Sequence, residues 1–423
     1  MSLPLAHTLV ARTVEVPDVG NLLDLLPSPD LGDALSWVRR GDGLIGIGEL
    51  TRFRTAGDVR FSDADAAWSD LVAGAVVRDA VRLPGTGPVC FGSFAFSRHS
   101  RAGGVLVVPE IVVGRRDGVS WVTTMTAGAL APAGDAADLL PRVAPMRPAV
   151  GASFADGALA RADWQDSVRE VIDVIRSGAV GKVVMARDVI AELDGEPDAR
   201  RVLGRLSQDY QSCWTFAVDG MIGATPELLV RRERGLLSSR VLAGTIQRTG
   251  DDESDLARAG SLARSSKDLE EHEFAVDSLT ASLGPFVSST SAPETPSVLH
   301  LPNVMHLATD VTAVLQPEHA SMSSLAVAAA LHPTAAVCGT PTMRAADVIA
   351  EHERMDRSRY AAPVGWMGAD GDGEWGIALR SAAVTGPRTL RLFAGCGIVA
   401  ASDPAAELAE SEAKLSPMRD ALS

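Results

Sequence analysis

Hydrophobic patterning along this chain predicts an α+β protein. Short alternating or β-branched runs crowd the first 150 residues, and a helix with a single apolar stripe follows at 163–177. Beyond it, strand-like and helical stretches alternate to the C-terminus. The 423 residues are 46% hydrophobic and 22% charged, an ordinary soluble globular composition; length alone allows two or three domains.

Charge narrows the function classes. A formal net charge of -15 argues against nucleic acid or an anionic membrane as partner. An acidic small molecule would need local cations to enter, from inward-facing Arg and Lys or from a metal. Cys90, Cys213, Cys338 and Cys396 are scattered without a C-x-x-C pair, which predicts buried free thiols in a reducing compartment. The start, MSLPLAHTLVARTVEV, has no basic residues followed by a long apolar run, and the longest apolar stretch, Ser324 to Leu331, is far short of a membrane span. A cytoplasmic protein is expected.

In order along the chain, LIGIG (44–48), VCFGSFAF (89–96), GVLVVPEIVVG (104–114) and VSWVTTM (119–125) read as strands and hairpins. Residues 63–77 look helical. The Ala-, Gly- and Pro-rich stretch 126–160 reads as a loop or boundary, so residues 1–150 form a β-rich part with a soft edge. Trp164, Val168, Val171, Ile172 and Ile175 then make the apolar stripe of a helix, with Asp163 able to cap it and Gly178 to end it.

GKVVMARDVIAEL (181–193) alternates as a strand, placing Lys182, Val184, Ala186 and Asp188 on one face. A lysine opening a strand is usually solvated; desolvated, it can serve as a base. Glu227, between Pro226 and an apolar Leu-Leu-Val run, is either a surface glutamate or a carboxyl with a raised pKa suited to an acid. Residues 253–283 predict a long helix or a broken pair in which Asp268, Glu271 and His272 share a face. His306 lies in an apolar strand-like run, where a hydrogen-bonded core residue is the usual finding. A Gly/Pro/Thr loop (331–344) leads to a helix at 345–354, and 357–384 reads as a hairpin turning at 370–373 with Arg380 in its second strand.

The last motif, RLFAGCGIVAASDPAAELAESEAKL, divides into a strand at 390–393, a turn bearing Gly395 and Gly397, and a helix capped by Ser402 or Asp403 with Pro404 at its first position. Glu407, Glu410 and Lys414 share one helical face. Alone this spacing is a solvated charged face. Beside a glycine turn that can receive an anion, and a second acidic face at 268–271, it can equally hold an anionic ligand through Mg²⁺.

Taken together, GKVVMAR, GATPELLVRR, LAGT, SKDLEEH, VMHL, LHPTAAVCGTP, RYAAPVGW, EWGIALRSA, AGCGIV and SDPAAELAESEAK resemble, in this order over residues 155–420, the chorismate-utilising enzymes. These are the isochorismate, salicylate, anthranilate and aminodeoxychorismate synthases. The resemblance implies one two-lobed α+β globule with large, mainly antiparallel sheets flanked by helices. It implies chorismate as the small-molecule substrate, Mg²⁺ as cofactor, and a monomer without nucleic acid or membrane partners.

Position by position, the resemblance makes Lys182 the base that activates water and Glu227 the acid for the departing 4-hydroxyl. Glu271 and Glu410 become Mg²⁺ ligands, with Asp268 and Glu407 acting through water. Gly395 and Gly397 become a backbone cradle, Tyr360, Arg380 and Lys414 side chains near the substrate carboxylates, and Ala243, Gly244, Thr245 and His306 site-lining positions. Ala243 where aminodeoxychorismate synthases often carry lysine, and VLAGT and CGTP where anthranilate synthases read PIAGT and SGAP, point to an isochorismate synthase. That enzyme would feed menaquinone or a siderophore. Salicylate synthases, which add pyruvate release, come second. Cys338, Cys396 and the run Arg359-Tyr360-Ala361-Ala362 depart from the usual pattern, and the two thiols are expected to narrow the carboxylate pocket.

Overall fold

Residues 104–116 show how one stretch of sequence is shared between two sheets. Gly104–Val108 and Ile111–Arg116 are separate strands: Pro109, which has no N–H to give a ladder, falls between them. The first joins a ten-stranded sheet and the second a thirteen-stranded one. The structure, a computed structural model, describes residues 8–27, 30–128, 140, 142–143 and 145–423. Much of the expected 126–160 boundary, namely residues 129–139, 141 and 144, therefore lies outside the described residues, as do residues 1–7 of the N-terminal stretch.

The larger sheet runs from Ala152–Asp156 through Lys182–Leu193, Thr389–Ile398, Ser381–Gly386, Met221–Thr225 and Trp214–Val218. It continues through Leu35–Arg39, Asp42–Ile47, Ile111–Arg116, Val119–Ala127 and Leu9–Val16 to Val76–Asp79, with Gly339–Thr340 as a thirteenth strand paired to Lys182–Leu193 off this path. The smaller runs from Val287–Ser291 through Val304–Leu315, Leu236–Gln247, Leu228–Glu233, Gly373–Ile377, Pro363–Gly368, Val89–Phe94 and Gly104–Val108 to Thr51–Thr55, with Ser297–His300 as a tenth strand paired to Val304–Leu315 off this path. Every described strand pair is antiparallel except Leu9–Val16 with Val76–Asp79. The α+β reading with large antiparallel sheets holds. Both sheets mix strands from before and after residue 150.

Period-two alternation builds the core from both faces. Trp37 joins Phe91, Phe94 and Trp375 in one apolar cluster drawn from both sheets, while its neighbour Val38 turns to a second cluster. That second cluster is closed by Leu203 and Leu206 of the Ala199–Asp209 helix and by Leu415 and Met418 of Pro404–Leu422. Each such side chain removed from water contributes about 1.5–3 kcal/mol.

Several boundaries move. The helix expected at 63–77 is Arg60–Ala73; Gly74 ends it, and Val76 and Val77 pair as the parallel edge strand instead. The striped helix is Arg161–Arg176 with Ala160 at its cap position, so Asp163 lies in the first turn rather than capping. The 253–283 region is a broken pair, Asp252–Leu262 and Ser266–Leu283, and the helix after the 331–344 loop is Thr342–His352. All four cysteines are free and buried.

Candidate active site

Lys182 opens its strand, and alternation sends Lys182 and Val184 to a cavity while Val183 and Met185 enter the core. The strand pairs with Thr389–Ile398 in the register Val184 to Gly397 and Ala186 to Gly395. The expected glycine turn is therefore not a turn: both glycines sit inside a strand, and their value is a missing side chain. A Cβ on Gly397 would come 2.9 Å from Lys182 Cε and 3.3 Å from Glu271 Oε1. The space it leaves is filled by that pair, with Lys182 Nζ donating to Glu271 Oε1 at 2.6 Å.

Glu227 stands between Met221–Thr225 of the larger sheet and Leu228–Glu233 of the smaller, where the chain crosses over. The Glu227 carbonyl accepts from Ile377 N at 3.2 Å, which fixes the crossover. Its side chain is buried, and burial pushes its pKa up to about 8, with Lys182 and Lys414 only partly opposing. Of the two sequence readings, the desolvated carboxyl is the one the fold builds.

Two capped helices supply the remaining carboxylates. Ser265 accepts from Asp268 N to start Ser266–Leu283, and Asp268 and Glu271 line the cavity. His272 turns away instead and meets Thr309 Oγ1 through Nε2 at 2.7 Å. Asp403 accepts from Ala405 N and Ala406 N to start Pro404–Leu422, which delivers Glu407, Glu410 and Lys414 to the same cavity. Lys414 Nζ lies 2.6 Å from Glu410 Oε1 and donates to Gly395 O at 2.9 Å. Burial alone would lower the pKa of Lys414, but Glu410 outweighs it, so the ammonium persists.

Four carboxylates from two helices are the hard oxygen donors that Mg²⁺ prefers. Among the described residues, however, no three His, Cys, Asp or Glu side chains converge tightly enough to grip an ion. Glu271 and Glu410 each carry a lysine ammonium instead. The donor chemistry fits; two of the four carboxylates, Glu271 and Glu410, are held by lysines of the chain itself.

Arg380 supplies a further cation, from a place the sequence did not indicate. It lies past the end of Gly373–Ile377, in the link that returns the chain to the larger sheet, with φ +49. It is buried and lines the cavity with His306, Ala243, Gly244 and Thr245. Tyr360 is the exception among the expected site residues: it does not line the cavity but stacks on Phe393 at 5.1 Å, with its hydroxyl 3.1 Å from where a Gly395 Cβ would stand. The thiols do not narrow the pocket. Cys396 alternates away from the glycines and donates to Glu407 O at 3.3 Å, and Cys338 donates to Thr342 O at 3.4 Å.

Two features escaped the sequence reading. Apolar wall residues such as Val184, Leu379 and Phe393 complete the cavity; of these, Val184 was signalled by sharing a strand face with Lys182. Below the Lys182 strand lies a buried Glu353–Arg357 pair. Glu353 Oε1 accepts from Ala186 N at 2.7 Å, and Arg357 Nη2 donates to Val184 O at 2.7 Å. An i,i+4 spacing of opposite charges was its only sequence signal.

The geometry can now be set beside known proteins. A salicylate-biosynthesis isochorismate synthase of Pseudomonas aeruginosa is 39% identical over 283 residues, 66% of this chain and 58% of that protein. An isochorismate synthase of Bacillus subtilis is 37% identical over 264 residues, 62% of this chain and 55% of that protein. The matched part thus spans less than two thirds of either relative. The menaquinone-specific isochorismate synthase of Escherichia coli superposes with a TM-score of 0.82 over 100% of this chain and 96% of that one, at 24% identity, which speaks for the fold. The family model described as chorismate binding enzyme matches residues 9–423, and the chain belongs to that family.

Proposed function

We propose that the protein is an isochorismate synthase, converting chorismate to isochorismate. Water attacks ring carbon 2, the ring double bonds shift, and the 4-hydroxyl leaves as water; one water is added and one lost. Glu227 protonates the leaving hydroxyl, and Lys182, once its bond to Glu271 has opened and its own proton has passed to solvent, takes the proton of the attacking water as the neutral amine. The observation that carries the reading is one cavity holding a buried carboxyl with a pKa near 8 together with that lysine. Hydroxide leaves poorly, so the acid must still be protonated near neutral pH, and burial supplies this.

Arg380 and Lys414 offer cations to the carboxylates of the substrate. Glu271 and Glu410, with Asp268 and Glu407 through water, would hold Mg²⁺. When bound, the ion would secure the ring carboxylate and draw charge from it. The same reading takes residues 1–150 as part of one globule with 155–420, and the enzyme as a cytoplasmic monomer serving menaquinone or siderophore synthesis.

The test is chromatographic. Purified protein is given chorismate with Mg²⁺ present or chelated. Isochorismate formed only with Mg²⁺, and without pyruvate, is the expected result. Salicylate with equimolar pyruvate would make the protein a salicylate synthase, and unconsumed chorismate would overturn the enzymatic reading.

A further inference from the structure

One strand of the smaller sheet carries a residue too many. In Leu236–Gln247, Ala243 pairs with Leu307 and Thr245 with His306, leaving Gly244 over as a β-bulge. Gly244 has φ +74, and a Cβ there would stand 3.2 Å from Asp268 Cβ, so the position suits glycine on two counts. The bulge aims the Gly244 carbonyl at His306 Nδ1, 3.3 Å away, beside Thr245 Oγ1 at 3.1 Å.

A carbonyl can only accept, so Nδ1 carries the hydrogen. On a neutral ring Nε2 is then a lone-pair acceptor, and Arg380 Nη2 stands 3.0 Å from it. A guanidinium only donates, so both contacts demand the same tautomer. Burial, then the charges of Arg380 and Lys414, hold the His306 pKa well below its ordinary value, which keeps the ring neutral.

Arg380 itself is strained and incomplete. Its φ of +49 is rare for a residue with a side chain, and such strain persists only where the surroundings enforce it. Its Nη1 is buried and has no hydrogen-bond partner among the described residues. An orphaned guanidinium nitrogen is costly, and this residue lines the cavity.

We infer that His306 is a positioning residue: the Gly244 bulge fixes its tautomer, and its Nε2 holds Arg380 so that Nη1 is presented to a carboxylate of the bound ligand. This rests on the proposed substrate for the identity of that ligand. The alternative is a histidine that merely fills the core.

A double-variant cycle separates the two, using chorismate as probe in calorimetry and in steady-state kinetics. His306→Gln keeps an acceptor where Nε2 stands and should stay within about three-fold of wild type. His306→Leu should raise KM about ten-fold while kcat changes less. In an Arg380→Met background, His306→Leu should add less than about two-fold. An equal loss with or without Arg380, or a Gln variant as impaired as Leu, would overturn the inference. If His306→Leu does not fold, His306→Asn against His306→Gln carries the same contrast, because the shorter amide reaches only the Nδ1 position. Wild-type protein that binds no chorismate would remove the functional reading itself, a result distinct from any of these.

Discussion

Glu227 stands at a crossover between the sheets, buried and, among the described residues, without an ion pair. Glu271 and Glu410 reach the same cavity from two helices, and each lies 2.6 Å from a lysine ammonium. Desolvation disfavours the charged form where no partner answers it, and an adjacent cation restores it. One residue type is thereby set in two environments, a buried carboxyl without an ion pair at the crossover and lysine-paired carboxylates on the helices, the division that the proposed acid and metal roles require. Element type contributes to the sorting: the crossover is enclosed by strands on both sides, whereas a helix face sets carboxylates and a lysine three and four residues apart.

The sharpest way to break this comparison is to make the crossover residue unable to donate. Glu227→Gln should lower kcat by about 10³-fold with the fold intact, the scale of a lost general acid. Lys182→Met should do the same from the other side of the proton balance. Chorismate consumption followed by chromatography reads both, and near wild-type turnover in either would remove the roles assigned here.

A second effect has the opposite sign. Because the folded pKa of Glu227 is about 8 against an ordinary 4.5, the native state holds more protons than the unfolded one between those values. Stability therefore falls as pH rises from about 4.5 to about 8, by a few kcal/mol at roughly 1.4 kcal/mol per unit. Glu227→Gln should lift the urea midpoint at pH 9 and bring little gain at pH 5. A difference that did not vary with pH would mean the carboxyl is not desolvated. The wild-type rate should fall as pH rises through about 8, where the acid form is lost.

Much of this was legible in the sequence, though unevenly. Lys182 could be placed by alternation, and the paired carboxylates by helical spacing, because both depend on periodicities the chain carries locally. Glu227 could be located but not assigned a proton state, since its burial comes from strands distant in sequence. Gly395 and Gly397 were misread as a turn. Glycine signals either unusual φ or close approach, and only the facing Lys182–Glu271 pair shows that the second applies at Gly397. Arg380 was placed inside the second strand of a 357–384 hairpin, whereas its position at a change of sheet is a tertiary fact.

The helical carboxylates can be tested through the ion rather than the rate. Mg²⁺ affinity by calorimetry should weaken about ten-fold or more in Glu410→Gln and in Glu271→Gln. Glu227→Gln should leave it within about three-fold, since its carboxyl is assigned to the proton and not the metal. Equal losses in all three would dissolve the distinction between the two walls.

The smallest expected effect on activity comes from the two glycines and tells geometry from chemistry. An alanine at 397 would press on Lys182 Cε at 2.9 Å and on Glu271 Oε1 at 3.3 Å, both at the ends of side chains that can swing. Gly397→Ala should thus cost little stability but about five-fold in kcat/KM, because the swing displaces the base. At 395 the obstacle is the Tyr360 hydroxyl at 3.1 Å, on a buried ring stacked against Phe393. That ring cannot move aside freely, so Gly395→Ala should cost about 1–3 kcal/mol of stability as overpacking and spare the Lys182–Glu271 pair. Urea midpoints and turnover measured on both variants give the answer. If stability and activity fell together at both positions, the glycines would be serving the strand alone, and the room they leave would have no part in placing the base.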